Sequence, residues 1–348
     1  MKPSITARLS AIVLAAALAA LHARDASAVP SFSRQTGQEC ASCHVGSYGP
    51  ALTPFGMRFK LGGYVDSDGK GTKLPLSGMI NGGFTRTGKG QDGGAAPHFA
   101  ANDNAALQEM SLFLAGRVSD HVGAFVQTTY SGIERKLALD NVDVRSAGEI
   151  EIGARSVTVG ISANNNPTVQ DPFNTLPAWS FPFISSDLAP SPSRTPMLDG
   201  GLAGRVAGIG AYTFLDRGLY VEVGGYGGLG RSQLRSINGY DAEDPGERVS
   251  GIAPYGRIGY LHDMKSQAFH VGLVGMTSRQ RDFGSGSGPA NRYADFGVDA
   301  GYMFLGDRRH VFSLGASFIG ERLSLDKAFA DGEADRQSQR LAKGMLVA

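Results

Sequence analysis

From Leu74 onward the chain reads as pieces of about ten residues in which apolar side chains alternate with small or polar ones. Short and long connections take turns between those pieces, and glycine is abundant, at 49 of 348 residues, while charged residues make up only 19%. These three observations predict an all-β fold, a transmembrane antiparallel β-barrel of the outer-membrane kind. The length does not require two domains, because β-barrels run long as single domains. A formal net charge of +1 lacks the basic excess of a nucleic-acid-binding face, so nucleic acid is excluded as a partner.

The alternation is clearest in three places. Leu219, Val221 and Val223 fall on one face and Glu222 on the other; Phe269, Val271 and Leu273 alternate with His270, Gly272 and Val274; Phe312, Leu314, Ala316 and Phe318 alternate with Ser313, Gly315 and Ser317. Read this way, the sequence predicts about twelve strands: Leu76 to Thr87, Leu107 to Ser119, Val122 to Ser131, Leu137 to Ile150, Ser156 to Ala163, Leu202 to Phe214, Leu219 to Gly230, Ile252 to Leu261, Ala268 to Ser278, Arg292 to Phe304, His310 to Gly320, and a last one opening near Gln337. Short turns near Ser119 to His121, Gly153 to Arg155, Asp216 to Gly218, His262 to Ser266 and Gly306 to Arg308 would lie on the periplasmic side. Longer polar stretches, such as Gly88 to Ala106, Asn164 to Gly200 and Arg231 to Ser250, would lie outside. The final Leu346-Val347-Ala348 falls within a strand and brings no closing aromatic residue. Because an open sheet edge cannot face lipid, a C-terminally truncated barrel of about 14 to 16 strands is expected.

The N-terminus predicts export. Lys2 and Arg8 form a positive region, Leu9 to Leu21 an apolar core too short to span a bilayer, and Ala26-Ser27-Ala28 a cleavage site. The expected organisation is a signal peptide over 1–28, a small segment over 29–73 and the barrel over 74–348.

The small segment holds both cysteines, in Cys40-Ala41-Ser42-Cys43-His44. This is the attachment pattern of a c-type haem: two thiols form thioethers with the vinyl groups and the following histidine becomes the proximal iron ligand. A structural zinc site wants four ligands, a thioredoxin-like pair wants a βαβ context, and a local disulfide leaves His44 unexplained. One covalent haem c is therefore the expected cofactor, on Cys40, Cys43 and His44. The sixth iron ligand stays open among Met57, whose alternative is simple packing, His98, Met79, water and a vacant position. Since so short a segment cannot bury a haem alone, the barrel must supply the walls.

Other motifs carry less. Asp66-Ser67-Asp68-Gly69 resembles a calcium loop, but Lys70 stands where a further oxygen ligand is needed, so a turn is expected. Gly227-Gly228-Leu229-Gly230 lies within an alternating strand. Arg205, Arg231 and Arg257 are expected as solvated lumen or rim charges, with partnership to haem propionates as the alternative. The stretch Asn164 to Gly200, with Trp179 among prolines and phenylalanines, is either an ordinary outer loop or one folded into or over the barrel mouth near the haem.

Pro30 to Gly37 before the motif, Pro50-Ala51-Leu52-Thr53-Pro54-Phe55-Gly56 and Phe59-Lys60-Leu61-Gly62-Gly63-Tyr64 after it, and Asn164 to Pro172 further on resemble the fused outer-membrane monohaem cytochrome–porin family of iron-oxidising bacteria. The resemblance implies a cytochrome segment plugging a barrel in the bacterial outer membrane. It also implies a haem that takes electrons from extracellular Fe(II) or another small donor and passes them to a periplasmic cytochrome acceptor. On this basis an electron conduit is expected, acting as an oxidoreductase toward Fe(II) if it is an enzyme at all. A diffusion porin with a haem-bearing structural or sensing plug, and a haem enzyme with an open sixth position, are the alternatives.

Overall fold

The computed structural model describes residues 30–348, apart from 180–185, 192–193, 238, 240–245, 284–287 and 307–309. The proposed signal peptide and Phe181 and Phe183 lie outside the described residues.

The chain is all-β around one antiparallel sheet of 13 strands. In order these are β1 Leu76–Thr85, β2 Asn104–Arg117, β3 Val122–Ser131, β4 Lys136–Ile152, β5 Arg155–Asn164, β6 Val206–Leu215, β7 Leu219–Gly228, β8 Glu247–Val249, β9 Ile252–Asp263, β10 Gln267–Asp282, β11 Asn291–Phe304, β12 Phe312–Ser324 and β13 Ser338–Val347. Each strand pairs with the next, except that β7 pairs with β9 and the short β8 pairs with the far end of β10. The twelve strands on the main path overlap those expected, with ends displaced by up to four residues and Val122–Ser131 matched to the residue. β8 is additional, three residues inside a connection whose polar composition carries no alternation. Among the described residues no helix is long and apolar enough to cross a membrane.

Because consecutive strands are antiparallel, the connections 118–121, 153–154, 216–218, 264–266 and 305–311 fall at one end of the sheet. The long ones fall at the other, together with the four-residue turn 132–135.

One face of the sheet is exposed and apolar, and the other is buried and mixes apolar with polar side chains. In β10, Phe269, Val271 and Leu273 are exposed, whereas His270, Gly272 and Val274 are buried. In β9, Ile258 and Tyr260 are exposed while Arg257 and Leu261 are buried. In β12, Phe312, Leu314 and Phe318 are exposed, and Ser317 and Glu321 are buried. Large apolar side chains in continuous exposed bands are what soluble monomers avoid.

The N-terminal segment packs on the buried face. It forms three short α-helices, α1 Pro30–Thr36, α2 Cys40–Cys43 and α3 Pro54–Leu61. Thr53 caps α3, its hydroxyl accepting from the N–H of Gly56 at 3.3 Å, and Pro54 occupies the first turn, where a missing N–H costs nothing. Val45, Leu52, Met57 and Leu61 join Tyr212 and Phe214 of β6, Tyr220 of β7, Leu261 of β9 and Met303 of β11 in one apolar cluster. On the other side, Phe59 and Tyr64 pack with Phe113 of β2 and Phe125 of β3. A segment of about 35 residues thus touches widely separated strands of one sheet. At Gly123 of β3 the approach is so close that a Cβ would collide with the carbonyl of Gly63.

Candidate functional site

One turn of α2 places Cys40 and Cys43 three residues apart on one side, and no disulfide joins them. The N–H of His44 donates to the Cys40 carbonyl at 2.8 Å, after which the chain turns extended and His44 bridges antiparallel to Leu52. The N–H of Thr53 donates to the Cys43 carbonyl at 2.9 Å, so the motif and the start of α3 are fastened together. Gly56 completes the junction, since a Cβ there would strike the same carbonyl.

Beside the motif lies a cavity of about 290 Å³ at the short-turn end of the sheet. Ser42, His44 and Phe55 form one side of it, and Asp263, Leu305 and Val311 belong to its other walls. Arg58 of α3 and Asp263 of β9 close one edge through a 2.8 Å ion pair. The imidazole of His44 keeps part of its surface in this cavity, while its Nδ1 is buried without a partner. Burial pushes its pKa down to about 4 against a hydrogen bond to the backbone of Gly49, so the ring is neutral at pH 7. The neutral imidazole is the form in which a histidine can ligate a metal. Burial, followed by the charges of Cys40 and Asp66, pushes the Cys43 thiol up to about 11. A thiol kept protonated is a poor redox nucleophile. Cys40, Cys43 and His44 could hold a c-type haem, with the two thiols as thioether donors and the imidazole on the iron.

The candidate sixth ligands are distributed differently. Met57 is fully buried in the apolar cluster with Val45, Leu52 and Leu61. His98 lies in the long connection 86–103, at the end of the sheet away from the cavity. Met79 packs against the Phe59 and Tyr64 cluster. The cavity walls include none of the three.

A second set of residues was not legible in the sequence. The stretch after β5 turns inward, so the folded-in alternative is the one observed: Val169, Asp171, Phe173 and Leu176 are buried. Lys60 of α3 donates to the carbonyls of Val169 and Asp171 at 2.8 and 2.7 Å and to Asn174 Oδ1 at 2.8 Å, with its ammonium 4.1 Å from the centre of the Trp179 ring. The amide of Asn174 donates back to the carbonyl of Pro50.

Arg257 is 3% exposed and pairs with Asp171 at 2.8 Å and with Asp299 of β11 through two hydrogen bonds of 2.8 and 2.9 Å. The expectation of a solvated charge therefore fails for Arg257, because two carboxylates meet it inside. Arg231 is exposed, as expected. Arg145 bonds Asp143 at 2.9 Å and the Gln170 carbonyl at 2.6 Å, and Asp143 also accepts from the Tyr64 hydroxyl at 2.6 Å. Burial alone would push Asp171 up, but Arg257, Lys60 and the backbone N–H groups of Phe173 and Leu176 outweigh it and hold the carboxyl below its usual range.

No protein-family model, no curated protein and no solved structure matches the chain.

Proposed function

We propose that the chain is an outer-membrane electron conduit: a β-barrel, exported through a cleaved signal peptide, whose N-terminal segment carries one covalent haem c inside the barrel. Its role is to accept electrons from an extracellular one-electron donor such as Fe(II) and pass them to a periplasmic cytochrome. One observation carries this reading. The segment bearing Cys40, Cys43 and His44 packs on the buried face of a sheet, where aromatic and aliphatic side chains stand beside paired charges such as Arg145 and Asp143, while the other face is exposed and apolar. An apolar outer band with a polar interior is the arrangement of outer-membrane barrels, and a redox group within one bridges two compartments that the bilayer insulates.

A haem bound here supplies a one-electron couple whose potential depends on its axial ligands and burial. The protein's own residues do the rest. Cys40 and Cys43 would tether the group, and His44, kept neutral by burial, would be the iron ligand. Lys60, Asn174 and the inward stretch around Asp171 hold the segment against the wall. A diffusion porin needs an open lumen, whereas residues 30–64 and the inward stretch pack together on the buried face.

The test is stopped-flow mixing of Fe(II) with membranes bearing the protein, alongside a Cys43→Ala variant. Rapid haem reduction in the wild type, lost in the variant, is expected. Reduction no faster than with an unrelated small reductant removes Fe(II) as the donor, and permeation of small solutes through proteoliposomes favours the porin.

A further inference from the structure

At the long-loop end of the sheet, away from the haem motif, two acids face each other. Asp295 of β11 and Glu321 of β12 are direct cross-strand partners on the buried face, 5% and 2% exposed. One oxygen of each is spoken for by a turn of the inward stretch: Asp295 Oδ2 accepts from the N–H of Leu198 at 2.9 Å, and Glu321 Oε2 accepts from the N–H of Met197 at 3.1 Å. The remaining oxygens, Asp295 Oδ1 and Glu321 Oε1, are buried and receive no donor. Two carboxylates in contact cannot both stay ionised, but one proton between them turns repulsion into a hydrogen bond.

We propose that Asp295 and Glu321 share one proton, and that this proton latches the turn Met197–Asp199 onto the sheet wall at the external mouth, so that rising pH releases the turn. The surrounding groups do not replace that proton. Asp199 of the turn is engaged by Lys343 of β13 at 2.6 Å. Arg194 is the positive charge that reaches Glu321, and it is committed to the Tyr293 hydroxyl at 2.7 Å and to the face of that ring. From β10, Ser278 donates to the sulfur of Met197 and brings no charge. When the proton leaves to solvent, both carboxylates are negative, and the cross-strand repulsion is relieved by moving the side chains apart, which breaks their bonds to Met197 and Leu198. The latch is independent of the haem reading and regulates the mouth of the same interior.

Amide hydrogen exchange at Met197 and Leu198, corrected for intrinsic rates and followed from about pH 5 to about pH 9 in the membrane-embedded chain, tests it. Protection is expected to be constant at low pH and then to fall about tenfold per pH unit, the slope of one linked proton. Asp295→Asn keeps an acceptor for Leu198 and gives Glu321 a permanent N–H donor, so its protection should stay high and flat. Asp199→Asn, which removes only the Lys343 pair, should keep the wild-type slope. Flat protection in the wild type, or an unchanged slope in Asp295→Asn, overturns the proposal. Heat-modifiable migration of each variant on gels verifies that the sheet has formed.

Discussion

Lys60, in the helix that follows Cys40 to His44, donates to the carbonyl of Asp171 at 2.7 Å, although 111 residues separate the two. The ammonium has no directly paired carboxylate. Two backbone carbonyls and an amide oxygen surround it, and an indole face lies above it. Lys60→Met keeps the length of the side chain but leaves those buried acceptors without a donor, at a cost of about 2 to 4 kcal/mol. The segment should then loosen from the inward stretch. Trp179, the only tryptophan, stands at the contact, so its emission should shift to the red in the variant. Unchanged emission and an unchanged urea midpoint would mean that Lys60 holds nothing.

Arg257 joins the inward stretch to two wall positions through Asp171 and Asp299. Arg257→Met strips both carboxylates of their counter-charge inside the sheet, and removing one partner of a buried pair costs about 3 to 5 kcal/mol. Asp299→Asn, which still accepts from the guanidinium, should cost less. Denaturant midpoints of the refolded protein in micelles measure both, and equal losses would argue against the charge as the reason.

The strands were legible because exposed apolar and buried small or polar residues alternate with period two, and a short turn separates every second pair. Cys40, Cys43 and His44 stand out in the sequence because their spacing is local, and the structure keeps them on one turn and the residue after it. Lys60, Arg145, Arg257 and Asp171 were not, since their partners come from distant points of the chain and a polar residue facing the inside of a barrel looks the same whether water or a carboxylate meets it. Asp295 and Glu321 had a signal: both sit at inward positions of adjacent strands. Pairing them requires the register, which composition does not give.

Leu273 tests the apolar band. It is 45% exposed, in the middle of β10, with Val271 and Phe269 beside it. If that face meets lipid, Leu273→Arg should cost about 2 to 4 kcal/mol in bilayers, as cations near the midplane of a barrel do. Arg292, already charged and exposed at the end of β11, is the reference: Arg292→Leu should change stability by less than about 1 kcal/mol. Equal tolerance at both sites would count against a membrane-facing band.

Met57→Leu separates packing from ligation. The sulfur is buried among Val45, Leu52 and Leu61, and a volume-conserving swap there costs less than about 1.5 kcal/mol. With packing as its role, the variant should retain the haem spectrum and midpoint potential of the wild type. A fall in potential would assign Met57 to the iron, because methionine–histidine ligation raises the potential.

Acid should loosen the haem-free segment through His44. Its imidazole is held at about 4 in the folded chain, against 6.5 for the free group, chiefly by burial. Between those values the undocked segment binds the extra proton, so stability rises with pH: the full contribution is present above about 6.5, and it is lost as pH falls toward 4, a difference of about 3 kcal/mol. Asp171 acts in the same direction but lower. Its carboxyl is held below 3.8, so its contribution is present above that value and disappears only as pH falls through the folded pKa. The urea midpoint of the haem-free chain, read by Trp179 emission, should therefore drop first between pH 6.5 and 4 and again at lower pH. His44→Gln should abolish the first step and leave the second. With haem attached, iron on the imidazole should remove the first step as well, and its persistence in the loaded chain would mean that His44 is not the ligand.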